Sequence, residues 1–345
     1  MDSPPSPVIE YDDIVSIPLW RRTVAIRRRE IPRERMNEPM PINRKDLLGL
    51  RGLSREELQI IFDTADDNRR LLDTDNKKKN TLSGKTMLNV FYENSTRTRM
   101  SFELAGKCLG ATVANMTSSG SSVSKGENLV DTAKNLDAMA ADAIVIRHQS
   151  SGVPHLLAQH CKAAIINAGD GMHEHPTQAL LDMYTMLQKK GSLEGLRVAI
   201  VGDVEHSRVA CSNLLGLNTM GARVVIAAPT TLLPRDIQKL DCEVTWDMKA
   251  AVREADVVMA LRIQMERQQS GLFPSVNEYA KHFGVDDELL SYARPDALIM
   301  HPGPINRGVE LMSDTADGEH SVILDQVTNG VAIRMGVLEL FCGVR

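Results

Sequence analysis

The chain has 345 residues, enough for two cores of roughly 150 residues each, and no stretch nears the ~18 consecutive apolar residues that a membrane-spanning helix needs. Hydrophobic residues make up 43% and charged residues 25%, a balance that excludes disorder as the main state. A net charge of -5 and an aromatic content of 4% argue against a polyanion-coating or base-stacking role, so no nucleic-acid partner is expected; the total says nothing about local clusters.

The first forty residues stand apart, with six of the 15 prolines, seven arginines and seven acidic residues, and no sustained periodicity. Residues 1–40 read as a flexible extension, either a solvated tail or the product of a start codon upstream of Met36, with a docking or targeting role as the lesser alternative. No secretory signal is evident there. The five scattered cysteines show no CxxC spacing, which suits reduced thiols in the cytoplasm and neither a disulfide framework nor a zinc site.

Regular signals begin at Ser54. Ser54 with Glu57 three residues on forms a capping box, and Leu58, Ile61, Phe62, Ala65 and Leu72 then recur on one helical face. Beyond it, short β-type runs alternate with helical segments, at 86–92, 111–116, 142–147 and 163–168 and again at 197–201, 222–228, 243–246, 256–261 and 297–300. This spacing predicts an α/β protein of two similar-sized domains, each a mostly parallel sheet flanked by helices. The polar, glycine-bearing stretch 188–195 marks their junction, giving domains at 41–190 and 191–330, with an apolar closing helix at 331–345 that packs back on the first domain.

In open parallel sheets ligands bind beyond the carboxyl ends of the strands, where helices begin and N–H groups point outward. The first strand runs into Ser95, Thr96, Arg97, Thr98 and Arg99 at a helix start, a donor set suited to a tetrahedral phosphate. Arg97 and Arg99, two apart, must point differently. Arg147 leaves the sheet at the end of the third run. The fourth leads to His175, Pro176 and Gln178, where Pro176 suits the first helical position and makes His175 the cap. An imidazole and an amide there can polarise a carbonyl and hold an adjacent NH2. His173 and His175 form an HxH pair without a defined third ligand, so no metal is expected. The segment 117–126 (TSSGSSVSKG) reads as a mobile lid or as a surface loop, and composition alone favours the loop.

The second half ends its strands differently. Gly202 and Asp203 precede Arg208, without the GxGxxG fingerprint of dinucleotide binding, so no cofactor is expected. Another strand ends in Arg262 and Gln264, and the last in His301, Pro302, Gly303 and Pro304, whose carbonyls can accept from a ligand amide. Arg208, Arg262 and Gln264 suit carboxylates. With no assignable Ser-His-Asp or Cys-His set, the inventory suggests direct transfer between two bound anions, driven by positioning and electrostatics.

The segments STRTR at 95–99 and HPTQ at 175–178, on a two-half α/β layout, resemble the aspartate and ornithine carbamoyltransferases. SVSKGE at 122–127, RIQMER at 262–267 and HPGPINRG at 301–308 resemble the aspartate branch, and coverage runs from about Pro41 to the C-terminus. The resemblance implies transfer of a carbamoyl group from carbamoyl phosphate to L-aspartate in pyrimidine synthesis. It implies that Ser95, Thr96, Arg97, Thr98 and Arg147 hold phosphate, and that Thr98, Arg147 and His175 polarise the carbamoyl oxygen. Gln178 and the carbonyls around Gly303 and Pro304 would hold the NH2, while Lys125, Arg208, Arg262 and Gln264 would bind aspartate. It also implies a homotrimer in which Ser121 and Lys125 reach a neighbouring subunit's site, reversing the reading of 117–126 as a surface loop. A regulatory chain or larger assembly stays open. The rival is an ornithine or other amine-specific transcarbamoylase, against which stands the lack of a cysteine at 301–304.

Overall fold

Runs of Val, Ile and Ala without a polar face, as at 143–146 and 198–201, are satisfied only inside a sheet covered on both sides. The computed structural model, which describes residues 42–117, 128–264 and 274–343, contains two such sheets, each wholly parallel. The first has β1 (Thr86–Phe91), β2 (Thr112–Thr117), β3 (Ala143–His148) and β4 (Ala164–Asp170) in the order β2-β1-β3-β4. The second has β5 (Arg197–Val201), β6 (Arg223–Ala227), β7 (Glu243–Thr245), β8 (Val257–Ala260) and β9 (Leu298–Met300) in the order β7-β6-β5-β8-β9. Each of the nine expected strands is present, its ends moved by no more than two residues.

Both orders reverse direction beside their first strand. The chain builds outward from β1 to β2 and then returns to lay β3 on the other side; β5, β6 and β8 repeat the pattern. Such a switch point parts two successive crossover helices and opens a crevice at the carboxyl edge. The ends of β1 and β3 therefore flank one crevice, and those of β5 and β8 the other.

Helices cover both sheets. In chain order they are α1 (Arg55–Leu72), α2 (Thr96–Cys108), α3 (Leu129–Ala138), α4 (Val153–His160), α5 (Pro176–Lys190) and α6 (Arg208–Thr219). Then α7 (Met248–Val252), α8 (Val276–Phe283), α9 (Asp287–Leu290) and α10 (Ser313–Ala316) follow, and α11 (Ile323–Cys342) closes the chain. The expected capping box starts α1, with Ser54 Oγ accepting from Glu57 N and the Glu57 carboxylate accepting from Ser54 N. The α1 face then buries Leu58, Ile61, Phe62 and Ala65, and each large side chain contributes roughly 1.5–3 kcal/mol. Phe62 stacks on Tyr184 of α5 with ring centroids 6.2 Å apart. No described helix is long and apolar enough to cross a membrane.

The closing helix corrects one expectation. It begins at Ile323 and not at Val331, and it packs on α1, α2 and α5. Its first two turns lack an apolar stripe, because Leu324 faces solvent while Gln326 and Asn329 are buried. Those two amides bond to Asp182, Thr185 and Gln188 of α5, so hydrogen bonding replaces hydrophobic periodicity there. The expected extension at 1–40 and the segment holding Ser121 and Lys125 lie outside the described residues.

Candidate active site

The carboxyl edges of the two sheets enclose a cavity of about 490 Å³. Ser95, Thr96, Arg97, Thr98, Arg147, His175 and Gln178 reach it from the first half, and Arg208, Arg262, Gln264, Gly303 and Pro304 from the second. Every expected site residue within the described segments is thus brought together, from six strand ends spread between Ser95 and Pro304. Four arginines and one glutamate line the cavity, so a chain of net charge -5 concentrates positive charge there.

Local structure explains the placement. Ser95 is the N-cap of α2 by backbone geometry, yet its hydroxyl makes no capping bond, leaving it and the first-turn N–H groups to face a ligand. Thr98, one turn in, is buried at 6% exposure. Arg97 turns toward the second half, where its Nη2 donates to Pro302 O at 2.8 Å. Its guanidinium lies directly against Gly303, where φ is +61°, so a side chain at 303 would be both strained and in collision with it. Arg99 leaves in another direction, lining an adjoining hollow with Phe91 and Thr117, as the two-residue offset predicts.

His175 is the N-cap of α5 and Pro176 its first residue, as expected. The imidazole is 4% exposed, and its Nδ1 has no hydrogen-bond partner among the described residues. Burial, reinforced by Arg147, Arg208, Arg334 and Arg97, holds its pKa well below the ordinary imidazole range. A neutral ring at pH 7 can donate one N–H to a developing oxyanion without adding a fifth positive charge. His173 does not share its site: its Nδ1 lies 3.1 Å from Asp170 Oδ2. His155, Asp170 and His173 are the one group with metal-compatible spacing among the described residues. Asp170 already accepts from Gly152 N, Asn167 Nδ2 and Glu174 N as well, which makes it the anchor of the turn after β4.

Sequence reasoning missed Glu93. It follows β1, and its Oε1 accepts from Arg147 Nη2 and Arg208 Nη2, each at 2.6 Å, while its Oε2 accepts from Arg208 Nη1 at 2.9 Å. One carboxylate thus joins the end of the first sheet to the start of α6 in the second half. Arg208 is 3% exposed and also donates to Gly171 O, so it forms part of the wall. Its guanidinium packs on Gly169, where φ is +115° and a Cβ would come within 2.9 Å. A lone acid amid strand-end arginines was the available signal.

In the second half the backbone N–H of Gln264 donates to Asp203 Oδ2 at 3.2 Å, and Asp203 Oδ1 lies 2.7 Å from His206 Nδ1. Asp203 is fully buried and ties the end of β5 to the segment after β8, which carries Arg262 and Gln264. Glu266 and Arg267 lie outside the described residues.

Comparison with known proteins gives the same architecture a lineage. Residues 45–188 match the model of the aspartate/ornithine carbamoyltransferase carbamoyl-P binding domain, and residues 194–341 that of the Asp/Orn binding domain. The aspartate carbamoyltransferase catalytic subunit of Ruminiclostridium cellulolyticum is 56% identical over 301 residues, covering 87% of this chain and 96% of that one. The protein of the same name from Acetivibrio thermocellus is 57% identical over 301 residues, with the same coverage. Among solved structures, ornithine carbamoyltransferase from Pyrococcus furiosus superposes with a TM-score of 0.79 at 31% identity, covering 87% of this chain and 98% of its own. Aspartate transcarbamoylase from Trypanosoma cruzi, in complex with carbamoyl aspartate and phosphate, gives 0.77 at 28%, covering 85% and 95%. The two-sheet fold, both domain models and the near full-length identity together establish that this chain belongs to the aspartate/ornithine carbamoyltransferase family.

Proposed function

We propose that the chain transfers the carbamoyl group of carbamoyl phosphate to the amine of L-aspartate, giving N-carbamoyl-L-aspartate and phosphate for UMP synthesis. The observation that carries this reading is the near full-length identity to aspartate-named catalytic subunits, joined to a cavity in which four arginines meet one glutamate. The fold alone does not separate aspartate from ornithine, since relatives acting on either amine superpose on it. Side-chain chemistry favours aspartate. Ornithine brings a second ammonium and needs an acid, whereas the one carboxylate lining the cavity among the described residues is Glu93, held by two guanidinium groups.

In this reading Ser95, Thr96, Arg97 and Thr98, with Arg147, hold the phosphate. Thr98, Arg147 and neutral His175 bond the carbamoyl oxygen, and such a donor contributes typically about 3 kcal/mol when it is aimed at the oxyanion. Gln178 Oε1 and the carbonyls around Gly303 and Pro304 accept from the carbamoyl NH2. The aspartate carboxylates meet Arg262, Gln264 and Arg208, the last held in place by Glu93, and Lys125 completes that set. The amine nitrogen bonds to the carbamoyl carbon, the tetrahedral intermediate collapses, and the carbon–oxygen bond to phosphate breaks. Departing phosphate takes the amine proton, so no side chain is needed as a dedicated base. Residues 41–190 would serve carbamoyl phosphate and residues 191–330 aspartate, closing over both.

The assembly in this reading is a cytoplasmic homotrimer, with Ser121 and Lys125 supplied to the neighbouring site. Five reduced thiols suit that compartment, and the cysteines are all free. Purified protein should carbamoylate aspartate and leave ornithine untouched in the same assay. Equal turnover of the two amines would overturn the assignment.

A further inference from the structure

Behind the cavity wall a buried carboxylate gathers three primary amides. Asp182, in the second turn of α5, is fully buried. Its Oδ1 accepts from Gln178 Nε2 at 2.9 Å and from Gln326 Nε2 at 2.7 Å, and its Oδ2 accepts from Asn213 Nδ2 at 2.8 Å. The donors come from α5, α11 and α6, so the carboxylate sits where both halves and the closing helix meet.

A carboxylate accepts only, whereas an amide carries one donor end and one acceptor end. Asp182 therefore decides which way each amide faces. With its NH2 on Asp182, Gln178 keeps its Oε1 for the cavity it lines, and that oxygen has no partner among the described residues. Gln326 is oriented likewise, and its Oε1 accepts from His301 N at 3.1 Å. His301 Nδ1 then accepts from Gly303 N at 2.7 Å, which requires the ring proton on Nε2, beside Glu310 Oε1 at 3.2 Å. One unbroken run of hydrogen bonds thus leads from Asp182 to the turn at Gly303 and Pro304, which lines the same cavity as Gln178.

We propose that Asp182 is a positioning residue, acting as an ionised carboxylate that sets the polarity of Gln178 and, through Gln326 and His301, of the Pro302–Pro304 turn, so that both present acceptors to the carbamoyl NH2. The inference rests on the carbamoyl-transfer reading and adds a residue that touches neither substrate. Burial raises the Asp182 carboxyl to about 6, and the three amides and Arg334 of α11 oppose that rise. The other charged group toward it is Arg97 of α2, and at the end of β9 burial lowers the His301 imidazole below its ordinary value. Asp182 is then ionised at pH 7.5 and gains a proton below pH 6. A protonated carboxyl carries a donor, which conflicts with an amide NH2.

Asp182→Asn is nearly isosteric and replaces one acceptor by a donor. The Michaelis constant for carbamoyl phosphate should rise about tenfold, the scale of a lost neutral hydrogen bond, while that for aspartate stays within about twofold. The acid-side fall of kcat/KM for carbamoyl phosphate should flatten in the variant. Adding Gln178→Ala to it should cost less than Gln178→Ala costs alone, because both act on one acceptor. An unchanged carbamoyl phosphate constant, or effects that simply multiply, would overturn the proposal. Should Asp182→Asn fail to fold, Gln326→Leu probes the same run of bonds, and an unchanged carbamoyl phosphate constant there is equally fatal. Wild-type enzyme assayed alongside keeps the cases apart: no carbamoyl aspartate from wild type counts against the function and not against Asp182.

Discussion

At the end of β1 the ligand-facing groups stand on the first turn of a helix, whereas at the end of β8 they stand on irregular backbone. Ser95, Thr96, Arg97 and Thr98 take their spacing from α2, and their N–H groups point at the cavity by helix geometry. Arg262 and Gln264 follow a four-residue strand and are steadied by the bond from Gln264 N to Asp203. The first arrangement is built before any ligand arrives, as suits a small tetrahedral anion. In the second, discrimination between amines rests on a segment that a few changes can reshape. A family acting on one shared donor and several amines would keep the first and vary the second.

Three substitutions sharpen that contrast. Arg97→Ala removes a phosphate ligand and the bond to Pro302, and should lower kcat/KM for carbamoyl phosphate by about 10²–10³-fold. A loss below tenfold would show that the helix start is not the phosphate site. Glu93→Gln leaves Arg147 and Arg208 sharing one neutral side chain in place of a carboxylate. Breaking a fully buried pair costs ~3–5 kcal/mol, and because Glu93 keeps 23% side-chain exposure about 2 kcal/mol is expected. Urea unfolding should show a lower midpoint with an unchanged slope. Ser54→Ala, remote from the cavity, removes the capping box of α1 and should cost about 1 kcal/mol with no kinetic effect. A kinetic change there would mean that α1 communicates with the site.

Much of this was legible because parallel sheets put chemistry at strand ends. Residues 95–99, 175–178 and 301–304 could be found by walking each strand to its end, and the cap at His175 by the proline that follows it. What escaped was whatever depends on partners distant in sequence. Glu93 stood in plain view, but its bond to Arg208 spans 115 positions and needs the carboxyl edges of the two sheets brought together. Asp182 sits four residues after Gln178 on one helical face, a readable pair, yet Gln326 is 144 positions away. The start of α11 was misread for the same reason, since Gln326 and Asn329 are buried by hydrogen bonds and leave no apolar rhythm.

The account stands on the helix start after β1 serving carbamoyl phosphate and the segment after β8 serving aspartate, and Arg262→Ala tests that most directly. Steady-state kinetics with both substrates varied should show the aspartate constant raised about tenfold or more, with the carbamoyl phosphate constant within about twofold of wild type. An unchanged aspartate constant, or an equal loss toward both substrates, would contradict that division of labour between the ends of β1 and β8.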